Sequence, residues 1–348
     1  MDRAIAIVAE PAGRLPRPVR HEALRATAIS LVALAMLAPS LARAQACAIS
    51  GKPVLAKTVA LQAASTGDDA IAKFPGQPIA ATMTAAAGRS KLRTGTGSGG
   101  FRVEGFVETR DVPVFTTRNV PVVDEHVWIG GGRRVRVRGP ASAGVSIEMS
   151  AGAPIEQTLS ATASCASVSL DQPSFRHPSP PGEARGYLTK KSPLAIAASA
   201  GGPAVFTFTS SSIKDALLFW SVEKSGAHVH VMLAGDVVID GWAAASDLEA
   251  LKAGEMMDAV LPGAVSISQP RLVMEGAPKT VKVSREVAVR ARANDASEVI
   301  GAIEAEGEVL VLETVLGWSN VLPTSLAVMP ADGRGFWVKA TELTAATK

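Results

Sequence analysis

Tyrosine occurs once in 348 residues, aromatic residues make up 4% of the chain, and there are 2 cysteines and 5 histidines. So little aromatic surface argues against one large aromatic-packed core. It suits small β-rich domains filled by Val, Ala and Gly. An excess of one charge is also missing. The chain has 35 Lys+Arg and 32 Asp+Glu, and its first 44 residues hold six Arg and three acids, which leaves 29 of each beyond them. A neutral body has no global field for steering to nucleic acid, so no nucleic-acid partner is expected. Catalytic signatures are scarce. There is no Gly-x-Ser-x-Gly elbow, and "GTGSGGF" and "WIGGGRR" lack the Lys-Ser/Thr ending of a phosphate loop. Both read as hairpin loops. No enzymatic activity and no cofactor are expected.

The beginning of the chain has its own character. Arg14, Arg17, Arg20 and Arg25 precede the apolar run "AISLVALAMLAP", and Ala42-Arg43-Ala44 follows it. A basic stretch, a short apolar run and a small-x-small site read as a secretory signal over residues 1–44. The run is too short for a membrane-spanning helix, which needs about 20 apolar residues. Export to a periplasmic or extracellular space is the expectation, with no transmembrane span in the mature chain. In such a compartment Cys47 and Cys165 can form a disulfide. Two free thiols, or a lipid on Cys47, are the other readings. "AQA" before Cys47 makes a poor lipid-attachment signal.

What the chain does have is a repeat. "GFVETRDV" from Gly105, "TLSATASC" from Thr158, "GWAAASDL" from Gly241 and "FWVKATEL" from Phe336 share one pattern. Each places a large apolar residue second and another apolar or sulfur residue six positions later. The first, third and fourth put an acid just before the last residue: Asp111, Asp247 and Glu342. The pattern reads as a strand whose second residue plugs a core, then a tight helical turn that returns a second plug. Upstream lie Gly88, Gly144, Gly226 and Gly317, each suited to a hairpin turn before an alternating strand. Further upstream stand "VALQAAS", "VPVVDEH", "LAIAASA" and "VAVRARA". From their first residues to the final plug the distances are 53, 45, 54 and 56 residues. Self-similarity at a near-constant period means tandem small domains.

The last repeat resembles a bacterial Src-homology-3-like (SH3-like, SH3b) domain. The resemblance rests on "VAVRARANDASEVIGAIEAEGEVLVLE", then "GWSNV", then "FWVKATEL". The other repeats depart from that pattern. Arg89, Val145 and Ala227 replace the hairpin Trp, and Thr158 replaces the corner Gly. The expected fold is therefore all-β, with about four tandem SH3-like barrels joined by Pro/Gly-rich linkers. Repeats are placed at 48–115, 116–172, 187–251 and 281–346, with a Pro-rich linker at 173–186 and a second linker at 252–280. The near absence of a first linker predicts that repeats one and two pack as a unit. The resemblance implies non-catalytic binding to cell wall or peptides, or a scaffolding role in the envelope. A structural component of a larger envelope assembly is the alternative. Fold by itself does not fix function.

Two side-chain groups stand out. "RRVRVRG" puts Arg134, Arg136 and Arg138 on one strand face, with Val135 and Val137 on the other. Forked guanidinium donors suit phosphate or carboxylate, which an anionic wall polymer carries. A half-buried strand must expose something polar in any case. His228 and His230 in "AHVHVML" share a strand face and are the metal candidates, but no third ligand is evident, and structural zinc wants four. Tyr187 and five Trp across four repeats leave little for a proline-ligand groove. Trp242 and Trp337 occupy expected core-plug positions.

Overall fold

Val- and Ala-rich segments of four to eight residues with period-2 burial dictate strands, and strands dominate. The structure, a computed structural model, describes residues 46–76, 78–95, 99–151, 157–176, 184–209, 218–251, 279–325 and 327–346. The proposed leader, most of the Pro-rich linker's centre (177–183) and nearly all of the second linker (252–278) lie outside the described residues. The all-β expectation holds: among the described residues the strands pair antiparallel in three sheets, and none of these sheets closes on itself.

Each repeat carries one pairing scheme. A short strand (Ala48–Gly51, Val114–Thr116, Arg185–Thr189, Lys279–Lys282) lies antiparallel to the first arm of a hairpin. These first arms are Ala81–Thr84, Arg134–Ala141, Leu218–Ser225 and Glu308–Val315. The second arms are Arg89–Thr94, Gly144–Ser150, His228–Leu233 and Trp318–Pro323. Each then pairs with a corner strand: Phe101–Glu108, Thr158–Ala163, Val237–Ala244 or Phe336–Lys339. The hairpin glycines all take positive φ, from 57° at Gly226 to 148° at Gly144, where a side chain would be strained. A helical turn follows each corner strand: Thr109–Asp111, Cys165–Ser167, Ala245–Asp247 and the helix Ala340–Ala346. It returns Val112, Leu248 and Leu343 to the core, all at most 5% exposed.

One expectation is corrected. Phe106, Trp242 and Trp337 are only half-buried, while Val107, Ala243 and Val338, one residue on, are buried. A strand shows alternate residues to opposite faces, so a one-residue offset in reading the plug moves every side chain to the other side. The second-place residue fills the core only in repeat two, where Leu159 is 3% exposed.

The repeats do not stand as separate barrels. The corner strand Phe101–Glu108 of repeat one also pairs with Val299–Ile303 of repeat four. Gly301 makes this possible, since a Cβ there would sit 1.9 Å from the Arg102 carbonyl oxygen. Phe101 and Phe336 pack across the same junction with ring centroids 5.1 Å apart. Both are essentially inaccessible, and each such burial contributes about 1.5–3 kcal/mol. Repeats two and three join likewise. The hairpin Val120–Val123/Val127–Ile129 lies against the corner strand Thr158–Ala163 of repeat two and, through Val127–Ile129, also pairs with Val237–Ala244 of repeat three. Exposed sheet edges invite pairing, and here the chain covers its own.

Repeats one and two meet through backbone and sulfur. Ser50 O accepts from Leu170 N at 3.1 Å, and Lys52 N donates to Asp171 Oδ1 at 2.7 Å. Cys47 and Cys165 form a disulfide with their Cα atoms 5.5 Å apart. The boundary between these repeats falls earlier than residue 116. Val114–Thr116 already belongs to the sheet of repeat two.

Candidate functional site

The arginine strand Arg134–Ala141 alternates as its sequence demands. Val135 and Val137 are buried, and Arg134, Arg136 and Arg138 are exposed. Their fates differ. The ladder with Gly144–Ser150 slips between Val137 and Gly139, leaving Arg138 as the extra residue of a bulge. A bulge re-aims its side chain. The Arg138 guanidinium donates from Nε to Glu148 Oε2 and from Nη2 to Glu148 Oε1, both at 2.6 Å. Arg136 faces Glu148 directly in the ladder, yet both oxygens of that carboxylate are taken.

Beside this strand is a hollow of about 190 Å³ lined by Arg110, Arg134, Arg136, Glu148 and Ser150, together with the buried Thr109, Val112 and Val135. Arg110 comes from repeat one, on the turn Thr109–Asp111 after its corner strand. The hollow therefore sits where two repeats meet. The neighbouring acids are engaged elsewhere. Glu108 accepts from Arg89 Nε at 2.7 Å, and Asp111 pairs with Lys57 at 2.8 Å. Among the described residues Arg110, Arg134 and Arg136 form no salt bridge.

Arg89, which replaces the hairpin Trp of repeat one, has a structural task. It bonds Glu108, the Gly67 carbonyl and Asp68, the last at 3.0 Å. Those carboxylates hold its guanidinium pKa above the usual value, the bond to Glu108 contributing most.

A second recurring feature surrounds the half-buried aromatics. Phe106 lies between Gln62 and Lys91, Trp242 between Ala197 and His230, and Trp337 between Arg290 and Asn320. Residues directly opposite in a ladder share a face, so each trio forms a short row on the side away from the core. In repeat three the row is capped. His230 stacks on Trp242 at 5.0 Å between ring centroids, and its Nε2 lies 2.6 Å from Asp240 Oδ1.

That contact gives His230 a packing partner and an acid. His228 lies on the same strand, near Gly201. No group of three His, Cys, Asp or Glu positioned to hold a metal occurs among the described residues. No helix among them is long and apolar enough to cross a membrane. Comparison with known proteins returns no matching family model, no matching curated protein and no matching solved structure.

The residue that sequence reasoning missed is Arg110. In "ETRDV" it reads as an ordinary charge beside an acid. Its importance depends on a contact between repeats, which the pattern within either one does not carry. Arg138 is the converse. Alternation groups it with Arg134 and Arg136, and only the bulge gives it to Glu148.

Proposed function

We propose that this is an exported, non-catalytic binding or scaffolding protein of the cell envelope, built from four SH3-like modules. The observation that carries the reading is the hollow of Arg110, Arg134 and Arg136, three exposed cations whose nearby acids are all engaged by other bases. Such a surface suits an anionic polymer of the wall, and forked guanidinium donors are well matched to its charged groups. The modular reading is supported by the pairing scheme common to the four repeats. The signal-like leader supports export.

A structural role in a larger envelope assembly is the second reading. It is favoured by the continuous sheet between repeats one and four, which would hold non-adjacent modules at fixed spacing. Co-sedimentation of the purified protein with isolated cell-wall sacculi separates the two. Saturable binding that weakens with salt is expected of the polymer-binding protein. No binding at low ionic strength would contradict it and leave the structural role.

A further inference from the structure

The geometry points to a phosphate-binding site in the hollow between repeats one and two, with Arg110, Arg134 and Arg136 as its ligands. This inference rests on the envelope-binding reading and names the chemistry of the group bound.

A carboxylate offers two oxygens, and one guanidinium fork satisfies both. The structure holds an example in Arg138 with Glu148. A phosphate offers three or four oxygens and up to two charges, so it can engage several forks at once. Three unpaired guanidinium groups around one hollow therefore suit a phosphate better than a carboxylate. The size agrees. About 190 Å³ holds a few water-sized volumes of about 30 Å³ each. That is room for one oxyanion with its solvent, or one charged group of a longer chain lying across the surface.

The arrangement also protects the site from internal neutralisation. Asp111 adjoins Arg110 in the chain but turns to Lys57. Glu108 is held by Arg89, and Glu148 by Arg138. Each acid able to quench the hollow has its own base. Because Arg110 belongs to one repeat and the strand arginines to the next, the site exists only while the repeats are docked. The disulfide Cys47–Cys165 ties those two repeats together. Chemically, the bound group is a phosphomonoester or a terminal phosphate, which keeps at least three unesterified oxygens and up to two charges. Its source is a phosphate-bearing wall polymer, a soluble polyphosphate or a phospholipid headgroup.

Isothermal titration of the full-length protein with tripolyphosphate at low ionic strength, beside citrate as a carboxylate control, tests this. Saturable tripolyphosphate binding is expected, with citrate weaker by about tenfold or more. Arg110→Gln, Arg134→Gln and Arg136→Gln should each weaken it about tenfold, as loss of a charge-assisted bond does. Lys279→Gln, on the edge strand of repeat four, should bind as wild type. All these side chains are exposed, and circular dichroism verifies that each variant is folded. Arg110→Lys adds a check, since it keeps the charge but loses the fork and should bind with intermediate affinity. Absence of saturable binding, citrate binding as tightly, or unchanged affinity in Arg110→Gln would overturn the assignment. Sedimentation with phosphatidylcholine vesicles, with and without anionic phospholipid, identifies the source. Arg110-dependent capture by anionic vesicles means a lipid headgroup, and capture by neither means a soluble or polymeric phosphate. The sacculus experiment reports separately. Tripolyphosphate binding without sacculus binding would remove the wall reading and keep the site, while sacculus binding indifferent to the three arginines would do the reverse.

Discussion

Arg138 holds both carboxylate oxygens of Glu148, and that single pairing leaves Arg136, directly across the ladder, without an acid. Charge around the hollow is thus set by the bulge at Arg138. If Glu148 loses its charge, Arg138 becomes a fourth unpaired cation. Glu148→Gln should therefore tighten tripolyphosphate binding several-fold and steepen its salt dependence. Weaker binding would mean that Glu148 positions the strand arginines, and the charge account would fail. Calorimetric titration at two salt concentrations gives the answer.

The disulfide closes a loop across a sequence separation of 118 residues. In the chain-entropy account, closing a loop of this length stabilises the folded state by about 4–5 kcal/mol. Cys47→Ala with Cys165→Ala should cost about 2–5 kcal/mol in denaturant unfolding. It should also weaken tripolyphosphate binding while the rest of the chain stays folded. Full affinity in the folded double variant would show that the hydrogen bonds at Ser50 and Asp171 suffice to dock the repeats.

The junction of repeats one and four depends on a missing side chain. A Cβ at Gly301 meets the Arg102 carbonyl oxygen at 1.9 Å. Gly301→Val must push the two strands apart, and forced overpacking of this kind costs about 1–3 kcal/mol or more. Thermal unfolding should begin earlier in the variant, with new protease cleavage between residues 299 and 308. A variant as stable as wild type would contradict the shared sheet.

Phe101 and Phe336 make the same junction apolar. Phe336→Ala should cost about 3–5 kcal/mol, as loss of a buried aromatic does. A double-mutant cycle with Phe101→Ala should return a coupling of about 0.5–1.5 kcal/mol. Additive effects would place the two rings in separate cores.

The sequence shows the fold class through local signals. Alternating Val and Ala announce strands, and Gly88, Gly144, Gly226 and Gly317 mark hairpin turns that all have positive φ. Corner plugs at Val112, Leu248 and Leu343 are legible from spacing alone. The face of the corner strand is not legible in repeats one, three and four. An aromatic at the second place outweighs a smaller Val or Ala at the third, yet the third faces the core in three repeats. Nor could the order of the repeats in space be read. Pairing of Val103 with Gly301, or of Trp128 with Val238, joins strands of different repeats, and no pattern within one repeat carries it. Two of the three arginines of the candidate site are visible in "RRVRVRG". Arg110 was hidden because it joins the others only through tertiary docking.

If wall attachment and phosphate recognition occur in one hollow, a soluble phosphate must compete with the wall for the protein. Sacculus-bound protein is challenged with rising tripolyphosphate, in wild type and in the triple variant Arg110→Gln, Arg134→Gln, Arg136→Gln. The account predicts that wild type is released in a saturable manner and that the triple variant does not sediment. Protein that stays on the sacculi at saturating tripolyphosphate, or a triple variant that binds as wild type, would contradict it.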